Sequence, residues 1–222
     1  MWPCHLPKAV DSVSRRQPAQ LRCVLLGVLW LTSLGAYAQA SPNSLSGILA
    51  QLGQHAAVRA SFTQQRQSPA LTQAQTSSGN LLFVTGRGML WQVQQPYSET
   101  LALTGTRAMR VLADGRMQPV HGERGIGQIS QMLQGLLGGQ LEAVRRQFDV
   151  QASGSAAQWH LQFTPRQARV SQVLADIQLD GGAFLQRIRI AMQDGTQTDI
   201  RMSDARDAGP LSAQEKHALG LP

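Results

Sequence analysis

Thiols, lysines and long apolar runs are scarce in this 222-residue chain. It holds two cysteines, Cys4 and Cys23, both ahead of residue 38, so the remainder neither needs nor can misform a disulfide in an oxidising compartment. Lys8 and Lys216 are its only lysines, and neither follows a glycine loop, which excludes a P-loop nucleotide site. Charged residues make up 15% of the chain and aromatics 5%, against 42% apolar residues. That balance excludes a disordered charged tail and suits one packed domain. The longest apolar stretch, Cys23 to Leu34, has about a dozen residues, short of the roughly 20 that a membrane-spanning helix needs.

Chemistry-bearing constellations are missing too. His5, His55, His121, His160 and His217 share no helical turn and have no cysteine to complete a zinc set, so no metal and no cofactor is expected. No Gly-x-Ser-x-Gly elbow occurs, and Ser153-Gly154-Ser155 reads as a turn before a strand. The carboxylates are scattered without a pair that marks a general acid and base. An enzyme is therefore not expected, and a hydrolase using Ser155 is the minority alternative. The formal charge of +7 falls to +4 beyond residue 38, where sixteen basic and twelve acidic residues remain. The arginines are dispersed, which leaves no nucleic-acid footprint.

What is present begins with a leader. Arg15, Arg16 and Arg22 precede the apolar run, and Ala36-Tyr37-Ala38 and Ala38-Gln39-Ala40 follow it. Basic, apolar and small residues in that order make a secretory signal peptide over residues 1–38, extending to 40 if cleavage falls later. The expectation is an exported, periplasmic protein whose residues 39–222 form a single domain.

Leu45, Ile48, Leu49 and Leu52, spaced by three and four, predict an opening amphipathic helix. From Val58 the period changes to two, with Ala60, Phe62 and Gln64 on one face. Further strands are predicted near 80–85, 89–94, 100–104 and 108–113, and again around Trp159 to Phe163, Ile177 to Leu179, Ile188 to Met192 and Ile200 to Met202. Between these two sets, residues 126–148 carry helical stripes in Ile129, Met132, Leu133, Leu136 and Leu137, then in Leu141, Val144 and Phe148. The fold class is mainly β with helices: a meandering antiparallel sheet with one apolar side, covered by helices.

Gly79-Asn80-Leu81, then Met89-Leu90-Trp91 and Gln94-Gln95-Pro96, with Val58-Arg59-Ala60-Ser61-Phe62-Thr63-Gln64 upstream, resemble the periplasmic outer-membrane lipoprotein carrier family, the LolA family. The resemblance covers about residues 43–112. It implies an unclosed antiparallel half-barrel whose apolar concave face lies under lid helices. Carried over, Phe62, Leu81, Phe83, Met89, Trp91 and Val93 line a lipid-binding cavity left partly unfilled, and Ile129, Met132, Leu133, Leu136 and Leu137 form the lid. Family members often place Arg-Pro ahead of the tryptophan as a lid latch; here that place is Thr85-Gly86, and Arg87 is the nearest arginine. The implied function is a periplasmic carrier, expected as a monomer, that takes acylated cargo from an inner-membrane donor complex to an outer-membrane acceptor. The alternative is a lipid-sensing or membrane-protein-docking module of an envelope lipid or glycolipid pathway.

Overall fold

The computed structural model describes residues 44–105, 107–120, 132–136 and 141–222. The expected leader, and Ile129 and Leu137 of the expected lid, lie outside them. The chain opens with α1 (Ser44–Leu52), whose Leu45, Ile48, Leu49 and Leu52 are all buried, as their spacing predicts. A first antiparallel meander follows: β1 (Ala57–Gln67), β2 (Gln75–Val84), β3 (Gly88–Gln95), β4 (Glu99–Thr104), β5 (Arg107–Val111) and β6 (Met117–Pro119). Helical residues 132–136, here α2, and α3 (Leu141–Gln147) belong to the connection that leads to the second meander. That meander comprises β7 (Phe148–Ser155), β8 (Gln158–Pro165), β9 (Leu174–Gly181), β10 (Leu185–Met192) and β11 (Gln197–Asp207), with α4 (Ala168–Ser171) before β9 and α5 (Ala213–Ala218) at the end.

All eleven strands form one sheet in the order β6-β5-β4-β3-β2-β1-β11-β10-β9-β8-β7. The two meanders therefore meet at a single seam, β1 against β11, and β6 and β7 remain unpaired edges, so the barrel is open. Because the chain leaves the sheet at one edge and re-enters at the other, its connection must traverse the sheet's width. The covering helices α2 and α3 lie on that traverse.

The concave face is built from rows of apolar partners. Ala152, Leu161, Leu179, Ile188 and Ile200 stand opposite one another across five strands, and Val150, Phe163, Ile177 and Ile190 form the next row. These side chains join one buried cluster with those of α1, α2 and Val144 of α3.

The structure corrects two expectations. The sheet is not apolar on one side only: Leu82, Val84, Leu90 and Ala102 point to the convex face, where Ala218 and Leu219 cover them in a second cluster. The helix that does this, α5, is started by a capping box in which Ser212 and Glu215 satisfy each other's backbone N–H. And residues 148–155 are a strand rather than a helix end and a turn, because pairing with β8 along their whole length overrides the glycine and serines at 153–155.

Candidate functional site

The first meander brings the expected wall residues together. Leu81 stands opposite Trp91 and Phe83 opposite Met89 on the β2–β3 pair, and Phe62 reaches the same patch from β1. Phe62, Leu81, Phe83 and Met89 are buried in the concave cluster, and the half-buried Trp91 and Val93 pack against it. Phe62 and Trp91 stack with centroids 3.8 Å apart. Of the expected lid, Met132, Leu133 and Leu136 are buried in that same cluster.

On the concave side a cleft of about 50 Å³ opens beside the end of α1, lined by Leu52, His55, Val58, Ala60, Leu81, Phe83, Phe184, Leu185, Met202 and Ala205. The stripes of α1 and α2 lay Leu45, Ile48, Leu49, Leu52, Met132, Leu133 and Leu136 into the curve of the sheet, which strand alternation alone does not reveal. A larger hollow of about 420 Å³ lies on the convex side between α5 and the β5–β6 turn, bordered by Gln92, Thr100, Val111 and Glu215.

Arg87 sits exposed at the tip of the β2–β3 turn. A tie that holds α2 to the sheet comes from Gln134, whose Nε2 donates to the Leu103 carbonyl at 3.2 Å and whose Oε1 accepts from the Gly105 N–H at 3.3 Å. Sequence reasoning passed over Gln134; its signal was a lone amide inside the apolar run Met132-Leu133-Gln134-Gly135-Leu136. Such a residue on a buried stripe needs partners.

Among the described residues, ion pairs gather at the cleft rim and on the convex face. At the cleft, His55 Nδ1 lies 2.8 Å from Asp207 Oδ1, and its ring packs 4.3 Å from that of Phe184. On the convex side Arg59 forks onto Glu215 at 2.5 and 2.9 Å, which together with the Ser212 bonds holds that carboxyl down to about 2. Asp199 is likewise lowered, chiefly by its bonds from Arg187 at 2.8 and 2.7 Å. Ser155 is exposed at a hairpin opposite Gln158, with no histidine across from it. Ser153 does face His160, which is bound to Asp180 at 2.7 Å, but Asp180 is shared with Arg189 and neither hollow touches this row. Among the described residues no helix is long and apolar enough to cross a membrane.

Solved structures share this architecture at low identity. A LolA superfamily protein from Nitrosomonas europaea is 10% identical, with 76% of this chain and 95% of that one aligned at a TM-score of 0.44. A DUF1329 family protein from Desulfovibrio piger is 12% identical, with coverages of 79% and 98% and a TM-score of 0.43. The lipoprotein LppX of Mycobacterium tuberculosis is 12% identical over 78% and 99%, at 0.39. No curated protein matches the sequence. Residues 38–219 match the family described as outer membrane lipoprotein carrier protein LolA-like. With the open half-barrel and its helical cover, that match over most of the chain means that the protein belongs to the LolA-like family.

Proposed function

We propose that this protein is a periplasmic carrier that buries the acyl chains of a lipoprotein, or of another lipidated molecule, against the concave face of its half-barrel and moves them from the inner to the outer membrane. Membership of a carrier family supports lipid or lipoprotein binding and a non-enzymatic role. One structural observation carries the finer reading. The apolar concave face is covered by helices, α1 ahead of the first strand and α2 and α3 on the edge-to-edge connection, not by strands of the sheet itself, so the cover can lift while the strand ladders stay intact.

The energies are compatible with exchange. Lifting Met132, Leu133 and Leu136 off the sheet costs about 5–9 kcal/mol at 1.5–3 kcal/mol each, while each acyl methylene buried in their place returns about 0.8 kcal/mol. Roughly six to eleven methylenes therefore offset the opening. Cargo replaces the protein's own side chains, and the helical cover keeps the wall out of water between journeys. With no nucleotide site of the P-loop type, direction comes from donor and acceptor proteins of different affinity. The leader over residues 1–38 would deliver the chain to the compartment where such cargo travels, and residues 39–222 would act there as one monomeric domain.

The test is lipid extraction of the protein purified from the cell envelope, followed by mass spectrometry and by uptake of a fluorescent fatty acid. Acylated molecules bound near one per protein are the expected result. An empty protein that takes up no acyl probe overturns the carrier.

A further inference from the structure

Where the two meanders meet, β1 and β11 do not pair evenly. Their register slips between Arg59 and Ser61, and opposite the slip Asp204 adopts φ 54°, the left-handed region that a non-glycine residue enters at a cost. Strand β10 slips as well, between Leu185 and Arg187. Bulges re-aim side chains and locally part a sheet, and they gather beside functional sites. Here the seam slip coincides with small residues, since Ala60 and Ala205 line the wall there.

The result is the cleft described above, which leads from His55 and Phe184 at the surface to Leu81 and Phe83 of the candidate site. Its cover is the end of α1, tied down by rim bonds: Gln51 Nε2 to the Gly182 carbonyl at 3.2 Å, His55 to Asp207 at 2.8 Å, and Thr85 Oγ1 to the His55 carbonyl at 2.9 Å. Every lining residue except His55 is apolar. A polypeptide inserted here would bring N–H and C=O groups into a wall with little to pair them, whereas a hydrocarbon chain brings none.

We infer that this cleft at the β1–β11 seam is the portal and first subsite for a single acyl chain, which inserts tail first and leaves its polar end at the His55–Asp207 rim. The inference rests on the carrier reading and adds the place of uptake: cargo starts at the end of α1, through an opening that already exists, and reaches the α2 side afterwards.

The probe is stearic acid carrying a nitroxide near its terminal methyl, added to the purified, methyl-labelled protein and followed by NMR. At the lowest probe ratios, selective broadening of the Val58, Ala60, Met202 and Ala205 methyls is expected. Ala60→Leu and Ala205→Leu, which fill the cleft with apolar volume, should each weaken uptake roughly tenfold or more. Quenching of tryptophan fluorescence by the nitroxide reads this loss, and denaturation checks that the variants fold; if Ala60→Leu strains the buried wall, the half-exposed Ala205→Leu still decides. Broadening confined to the Met132, Leu133 and Leu136 methyls, or full uptake by both folded variants, overturns the portal while leaving the carrier reading intact. Failure of the wild-type protein to bind the probe overturns both.

Discussion

Phe62 and Trp91 stack with ring planes 27° from parallel although a whole strand, β2, runs between theirs. The strand is crossed at Gly79, which lies opposite Phe62 on one side and Val93 on the other and offers no side chain to keep the rings apart. A Cβ at Gly79 would sit 1.8 Å from the carbonyl oxygen of Gln92. The glycine and tryptophan of the sequence motif are thus one structural device, with the phenylalanine of β1 as its third part.

Gly79→Ala should therefore cost at least about 2 kcal/mol, because backbone must move to admit the methyl. Urea denaturation measures the loss, and near-ultraviolet circular dichroism should show the Phe62–Trp91 signal collapse with it. A loss below 0.5 kcal/mol, no more than an exposed surface change typically gives, would mean that the crossing is not strained.

Trp91 is half-buried, so Trp91→Glu should leave a folded protein. Its charge at the wall should lower the affinity for an acyl probe by more than tenfold, since one pKa-scale charge penalty of about 1.4 kcal/mol already corresponds to a factor of ten. Titration with a fluorescent fatty acid reads the change.

Gln134 fastens α2 to the end of β4 through two bonds. Gln134→Ala should cost about 1 kcal/mol of global stability, a net value typical of neutral hydrogen bonds. Its larger effect should be local: amide exchange across 132–136 speeds up and acyl uptake becomes faster. Unchanged exchange there would show that the tie does not hold the cover.

The Arg59–Glu215 fork makes stability depend on acid. Glu215 is lowered from about 4.5 to about 2, so its contribution is complete above pH 4.5 and disappears as the pH falls toward 2. Glu215→Gln should cost about 2 kcal/mol at neutral pH, in the range of hydrogen bonds to charged groups. Between pH 4.5 and 2 the variant should lose less further stability than the wild type, because the coupled proton is gone. Parallel acid titrations by chemical denaturation test this.

Much of the architecture was legible where one force acted alone. Leu45, Ile48, Leu49 and Leu52 had a single period and one face to bury. Strands β8 to β11 alternate because their outer face carries paired charges such as Arg187 with Asp199, and an alternating strand declares itself. In β2 the run Leu81-Leu82-Phe83-Val84 has no alternation because both faces are covered. The cover for the outer face comes from residues 213–221, more than 130 positions away, and the capping box at Ser212 and Glu215 was the overlooked local sign of it.

The grouping of Phe62, Leu81, Phe83, Met89 and Trp91 was legible through the glycine–tryptophan motif, and the burial of Met132, Leu133 and Leu136 through their 3.6-residue period. The cleft was not, since it arises from a register slip between β1 and β11, the first and last strands, and no local pattern encodes how two distant strands align. Alone, the sequence determined which residues are apolar, where the chain turns, and that a thiol-poor chain without nucleotide or metal motifs has burial as its main resource. Tertiary structure decided how the cover meets the sheet, which small residues face each other at the seam, and how little space is left between them. Those outcomes depend on packing volumes summed over many partners, a quantity that no stretch of sequence carries by itself.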